Sequence, residues 1–265
     1  MSQMINATRK RHGGRAGNTR RSGRTAIAQL DWELPTLTDA PTEPLDAEGV
    51  QAIDDAAMRV LEEIGILFLN REAREILAAA GAAVDHDTFN VRMDREMVRE
   101  YLAHAPASFD IVPRNPDRRI TIGGRTITFG NVSSPPNCSD LDRGRRVGDR
   151  ESFRDFIRFS QYFNCIHFCG GYPVEPVDIH ASVRHLDCLH DKLMLCDKVV
   201  HAYSLGPERV EDVMEMVRIA AGLSAEEFDA APRLYTNINS SSPLKHDWPM
   251  IDGAMRLDRR GLPVI

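Results

Sequence analysis

Asn237 and Asn239 stand two apart in the run Arg233-Leu-Tyr-Thr-Asn-Ile-Asn239. That spacing points both amides the same way if the run is a strand. Ser240-Ser241-Ser242 follow directly, offering hydroxyls and backbone N–H groups. Such a cluster can hold a small polar ligand through neutral donors and acceptors. The same residues also build turns ahead of a proline, and Pro243 comes next. Other candidate groups come only in pairs. His167 and Cys169 share a strand face, as do His201 and Tyr203. A zinc site needs three or four convergent N or S ligands, so pairs do not make one. His180, His185 and His190 are spaced by five, which turns about 140° per step on a helix and disperses them. The pairs Gly170-Gly171 and Gly123-Gly124 lack a phosphate-loop context. No Ser/His/Asp or Cys/His nucleophile pattern stands out. Residues of these types can bind and orient a ligand, and no acid–base dyad stands out among them.

The elements that must position them lie in residues 164–265. Four strand-like runs are expected there: Cys165–Cys169, Lys198–Ser204, Arg233–Asn239 and Gly261–Ile265. Helix-period segments fill the gaps, and the first three runs each end in turn-forming or small polar residues. This is the pattern of repeated βα units around a parallel sheet. Ligands in such folds sit at the carboxyl ends of the strands, where Tyr172, Tyr203 and the Asn/Ser cluster fall.

Composition sets the class. With 265 residues, 42% hydrophobic and 27% charged, the chain is long enough for a sizeable core. No apolar run approaches the roughly 18–20 residues of a membrane span. The five cysteines are odd in number and show no C-x-x-C pair, so a reducing, cytoplasmic setting is expected. Residues 1–26 hold seven Arg/Lys and no acid; taking that +7 from the net −6 leaves −13 on the rest. An acidic body argues against a nucleic-acid-binding domain.

Residues 1–45 read as a disordered basic tail and a proline-marked extended lead-in, followed by a helical and β-hairpin region over 46–163 and the βα region over 164–265. Asp46, Asn70 and Asp94 each look like a helix N-cap, with Gly65 and Gly81 as stops. The first helix should bury Val50, Ile53, Ala57, Val60, Leu61 and Ile64. Ser108–Val112, Arg119–Ile122 and Arg125–Phe129 read as strands, the last two joined by Gly123-Gly124 as a hairpin turn. Asn131–Cys138 reads as a loop, and Val147–Phe163 as a helix capped by Asp149.

The order of several segments resembles a known family. Val60-Leu-Glu-Glu-Ile-Gly65 is followed by Ala79-Ala-Gly-Ala-Ala-Val-Asp85, then Ala105-Pro-Ala-Ser-Phe109 and the Gly-Gly pair. Tyr235-Thr-Asn-Ile-Asn-Ser-Ser-Ser-Pro-Leu244 and Arg260-Gly-Leu-Pro-Val264 complete the set. Together they resemble the N-terminal half of the trimethylamine methyltransferase family, on its pyrrolysine-free side. The resemblance covers about residues 45–265 and implies a (β/α)8 TIM barrel. It further implies methyl transfer from a methylated amine, trimethylamine or a betaine-type quaternary amine, to the Co(I) of a cognate corrinoid protein. On this reading no cofactor is bound directly, the corrinoid arrives on the partner, and the full-length enzyme is a homo-oligomer.

The same resemblance, with the roughly 200–250 residues a barrel needs, leads us to expect a half-barrel truncated at its fourth strand and inactive alone. A quaternary ammonium has no N–H, so aromatic faces would grip it. Tyr172, Tyr203 and Trp248 are the aromatic candidates. His201, Asn237, Asn239 and Ser241 are the candidates for holding a betaine carboxylate or orienting the amine. Attack by Co(I) asks the protein for orientation and exclusion of water more than for acid–base help. Two other readings remain open at this stage. One is a different barrel enzyme on a small polar substrate; the other is a non-catalytic protein that recruits a partner.

Overall fold

Capping side chains start the helices where the sequence places them. The structure, a computed structural model, describes residues 27–265; the basic stretch 1–26 lies outside the described residues. Asp46 accepts the Gly49 N–H at 2.8 Å and opens α1 (Ala47–Arg59). A π-turn over Val60–Ile64 follows and stops at Gly65, whose φ of 81° favours glycine. Asn70 caps α2 (Arg71–Ala79), Asp94 caps α3 (Arg95–Leu102) and Asp149 caps α4 (Arg150–Tyr162). Further along come α5 (Arg184–Leu195), α6 (Pro207–Ala221), the short α7 (Ala225–Asp229) and α8 (Trp248–Asp258).

The apolar stripe expected to face inward on α1 does not do so. Val50, Ile53 and Ile64 are each more than half exposed, and Met58 is the residue the helix buries. The docking is polar on the other flank: Arg95 reaches Glu62 at 2.9 Å and Asp55 at 3.3 Å, and Arg99 reaches Asp54 at 2.8 Å. Those contacts tie α1 and the turn after it to α3, while Val50 and Ile53 face outward.

Strands β1 (Ile66–Phe68), β2 (Ala83–Val84) and β3 (Asn90–Arg92) form a small sheet, and β4 (Ser108–Ile111) pairs antiparallel with β5 (Ile120–Gly123). Gly123-Gly124 therefore does not join two paired strands. After the glycines, residues 125–127 bond to the lead-in instead: Ile127 N–H donates to Pro35 O at 2.8 Å, and Leu37 N–H to Arg125 O at 2.8 Å. A Cβ on Gly123 would run into the Ala107 backbone, so the close β4 approach explains the glycine. The loop expected over Asn131–Cys138 is shorter than predicted. Asn137 enters a hairpin of β6 (Asn137–Asp140) and β7 (Gly144–Val147), and Val147 thus belongs to a strand rather than to α4.

The sheet that matters for the site is β8 (Phe168–Cys169), β9 (Val199–Tyr203) and β10 (Tyr235–Asn237), all parallel in the order β10-β9-β8. A short strand β11 (Lys245–His246) leaves this region and pairs parallel with β1. The fourth expected strand, Gly261–Ile265, reduces to one parallel bridge, Thr236 with Val264. Its backbone bonds are nonetheless regular: Thr236 N–H to Pro263 O at 3.1 Å and Ile265 N–H to Thr236 O at 2.9 Å. The described residues thus form a mixed α/β arrangement with small sheets and consecutive parallel βα units; no closed barrel is present among them.

Alternation along β9 splits its side chains between two environments. Val200 and Ala202 join Cys169, Phe153, Ile157, Leu189, Val213 and Leu257 in the larger apolar core beneath the helices. Val199 joins Ile111 and Ile120 on the opposite side, where Trp32, Phe168 and Tyr235 pack. His201 and Tyr203 share the parity of Val199. Lys198, 2% exposed, fixes the approach to the sheet: its Nζ donates to the carbonyls of Ser160, Phe163 and Ile166 at 2.5, 2.8 and 2.7 Å.

Candidate functional site

Parallel pairing sets Tyr235 against His201 and Asn237 against Tyr203 across β10 and β9. The His201 ring stands edge-on to two tyrosines, with centroids 4.8 Å from Tyr203 and 5.1 Å from Tyr235. His201 Nε2 donates to Asn237 Oδ1 at 2.6 Å, which leaves Nδ1 buried without a hydrogen-bond partner. Burial, reinforced by the charge of Lys192, pushes the imidazole down to about 3; the Asn237 bond pulls weakly the other way. His201 is therefore neutral at any ordinary pH. It is an aromatic and polar wall, not a base poised near neutrality.

Tyr203 is held by its hydroxyl. Tyr172 N–H donates to it at 2.8 Å, and the Ser134 and Ser133 hydroxyls lie at 2.8 and 3.1 Å. The Tyr172 and Tyr203 rings meet at 4.7 Å. The Tyr203 hydroxyl is saturated by protein, so its ring is what remains for a ligand. Burial raises the Tyr172 and Tyr235 phenols above their ordinary range, and both stay neutral. Tyr172, Tyr203, His201 and Asn237, four of the six expected site residues, are thus joined in one chain of contacts.

The remaining two lie elsewhere. Asn239, exposed beyond the end of β10, has its backbone N–H on Met250 Sδ at 3.2 Å. Ser241 closes a tight backbone bridge with Lys245, so the Ser240–Ser242 run serves the turn. Trp248, the first residue of α8, is 45% exposed. His167 is fixed at both ring nitrogens, accepting the Phe129 N–H at 2.8 Å and reaching Glu33 O at 3.1 Å. The Cys169 thiol contacts Cys196 Sγ at 3.1 Å. Among the described residues no group of three or more His, Cys, Asp or Glu is placed to hold a metal ion.

A strand-end aromatic cluster of this kind could serve several chemistries, and comparison with known proteins decides the family. The family model described as Trimethylamine methyltransferase (MTTB) matches residues 11–265. The chain belongs to the trimethylamine methyltransferase family. It is 34% identical over 221 residues to a glycine betaine methyltransferase of Desulfitobacterium hafniense (strain Y51), covering 83% of this chain and 46% of the relative. It is 26% identical to the trimethylamine methyltransferase MttB of D. hafniense (strain DSM 10664 / DCB-2), over 82% of this chain and 44% of that one. A third relative, at 24% over 81% of this chain and 45% of its own length, is the proline betaine:corrinoid methyltransferase of Eubacterium limosum. The chain spans about half the length of these curated relatives. Among the described residues no helix is long and apolar enough to cross a membrane.

Within this chain, the candidate site contains residues that sequence reasoning passed over. Tyr235 was legible, since it shares strand parity with Asn237. Ser133 and Ser134 were not, because they reach Tyr203 from about seventy positions away in the chain. Lys192 and Arg209 sit on helices α5 and α6 and adjoin the site only through tertiary packing. Nothing in their local spacing marks them.

Proposed function

We propose that this chain carries strand-end substrate-binding residues of a corrinoid-dependent methyltransferase acting on a methylated amine, and that its parallel βα units are the opening strands of a (β/α)8 barrel. The observation that carries the reading is the neutral, aromatic environment of His201. Tyr203 and Tyr235 flank an imidazole that stays uncharged, and Asn237 supplies an amide beside it. No unpaired carboxylate or titrating base stands within this contact set.

That environment suits a methylated ammonium. The ion has little or nothing to donate in hydrogen bonds, and ring faces attract it by about 0.5–2 kcal/mol each, depending on desolvation. The methyl acceptor is the reduced cobalt of a corrinoid on a partner protein, which takes the methyl while the amine leaves with the C–N electron pair. The chain's own residues have a passive task. They fix the C–N bond direction, keep water from the site and present no group that would need to move a proton. The Tyr203 clamp makes the wall rigid, so little is reorganised on binding.

Equilibrium binding of N-methyl-labelled glycine betaine, proline betaine and trimethylamine to the chain tests this reading. Saturable binding of at least one methylated amine is expected, with Tyr235→Leu weakening it roughly threefold to thirtyfold and unmethylated glycine failing to compete. If none of the three methylated amines binds, the proposal is wrong.

A further inference from the structure

Behind the Tyr172–Tyr203 pair lies a cleft between the first turns of α5 and α6. Two adjoining cavities of about 20 and 190 Å3 share Tyr172, His185, Tyr203 and Arg209 as walls. The charges around them do not balance. Glu175 is paired with Arg184 at 2.8 Å, and Asp212 is held by His185 Nε2 at 2.8 Å. Two further cations make no ion pair among the described residues. Arg209, half-buried, makes no ion pair or hydrogen bond among the described residues. Lys192, 2% exposed, donates to Gly170 O at 2.8 Å, its one hydrogen bond among the described residues, and sits 5.5 Å over the Tyr172 ring. His201, 5% exposed, also lines the smaller cavity.

We infer that this cleft is a binding subsite for a small carboxylate, with Arg209 as its anchor and Lys192 as the buried charge beneath it. Lys192, held away from water without a counterion, is costly, and an anionic ligand between it and the half-buried Arg209 offsets that cost. A guanidinium with all its donors free matches the two oxygens of a carboxylate in one plane. Burial lowers Lys192 only to about 8, so it remains cationic at neutral pH. Tyr203 is common to the cleft and to the aromatic wall around His201. A ligand can therefore place a carboxylate by Arg209 and a methylated ammonium against the rings. The positive cleft would repel an ammonium, which keeps the two ends in order. The substrate class is then a carboxylated quaternary amine, a betaine, rather than trimethylamine. Only the ammonium half of this inference rests on the function proposed above; the carboxylate subsite stands by its own charges.

The experiment uses the full chain and titration calorimetry with three probes: glycine betaine, its uncharged-carbon analogue 3,3-dimethylbutyrate, and choline, which keeps the ammonium but lacks the carboxylate. Both carboxylates should bind, and choline should bind roughly tenfold more weakly than glycine betaine. Arg209→Gln should weaken both carboxylates roughly tenfold or more, and Arg209→Lys by less. Arg209 has no hydrogen bond or ion pair among the described residues, so neither variant removes one, and circular dichroism checks that both remain folded. Unchanged carboxylate affinity in Arg209→Gln would overturn the subsite, as would binding of inorganic phosphate with no binding of either carboxylate. If 3,3-dimethylbutyrate binds through Arg209 as tightly as glycine betaine, the subsite stands and the methylamine reading fails. If glycine betaine binds indifferently to Arg209, the reverse holds.

Discussion

The Tyr172 backbone N–H donates to the Tyr203 hydroxyl at 2.8 Å, tying the loop after β8 to the last residue of β9. Ser133 and Ser134 complete the same hydroxyl's contacts from a distant loop. One phenol thus joins three stretches of chain at the mouth of the candidate site.

Removing that hydroxyl should loosen the mouth without emptying it. Tyr203→Phe keeps the ring but leaves the Tyr172 N–H unpaired, at a cost of about 1–2 kcal/mol. Urea unfolding gives the loss, and amide exchange should quicken at Tyr172 above all. Unaltered exchange there would show that the hydroxyl does not order the loop.

Gly171 makes the clamp geometrically possible. A Cβ there would collide with Ser133 Oγ and the Tyr203 hydroxyl. Gly171→Ala should therefore open the hydroxyl cluster, destabilise the chain by about 1–3 kcal/mol and weaken betaine binding. Wild-type affinity in a folded Gly171→Ala variant would contradict the placement of the site.

His201 gives the chain an acid sensitivity of defined sign. Its ordinary value near 6.5 is pushed down to about 3 by burial first and Lys192 second. Above pH 6.5 neither folded nor unfolded histidine holds the proton, and His201 contributes no pH slope. Between about 6.5 and 3 the unfolded chain takes up a proton that the folded site refuses, so stability falls with pH by about 1.4 kcal/mol per unit. His201→Gln removes that contribution. From pH 6.5 to 5, wild type should lose roughly 2 kcal/mol more than the variant in urea titrations. Parallel losses in the two proteins would mean that His201 is not held neutral.

Lys198 should matter for stability and not for ligand contact. Its ammonium satisfies three carbonyls between the end of α4 and the start of β8 while 2% exposed. Lys198→Met keeps the bulk and abandons those acceptors, which should cost about 3 kcal/mol. A change in melting free energy under 1 kcal/mol would show that water replaces the ammonium there.

What the sequence determined by itself follows from local physical chemistry. Asp46, Asn70, Asp94 and Asp149 each start a helix, because a cap bond spans only two or three residues. The parallel strands β8, β9 and β10 were visible as apolar runs between helical segments, and period-two parity put His201 with Tyr203. The family resemblance was likewise carried by short segments in order. Tertiary structure decided the rest. Which partner residues 125–127 would choose depended on the lead-in at 35–37 reaching them, not on the glycine pair beside them. The outward roll of Val50 and Ile53 goes with Arg95 and Arg99 meeting Asp55 and Asp54 on α1, which only the tertiary packing brings together. The charge imbalance of the cleft could not be read at all in advance. Arg209 is one of many arginines in the sequence until folding sets Glu175 against Arg184 and Asp212 on His185 and leaves Arg209 without an ion pair among the described residues. Pairing is a property of distance in space, and for these residues sequence separation carries no information about it.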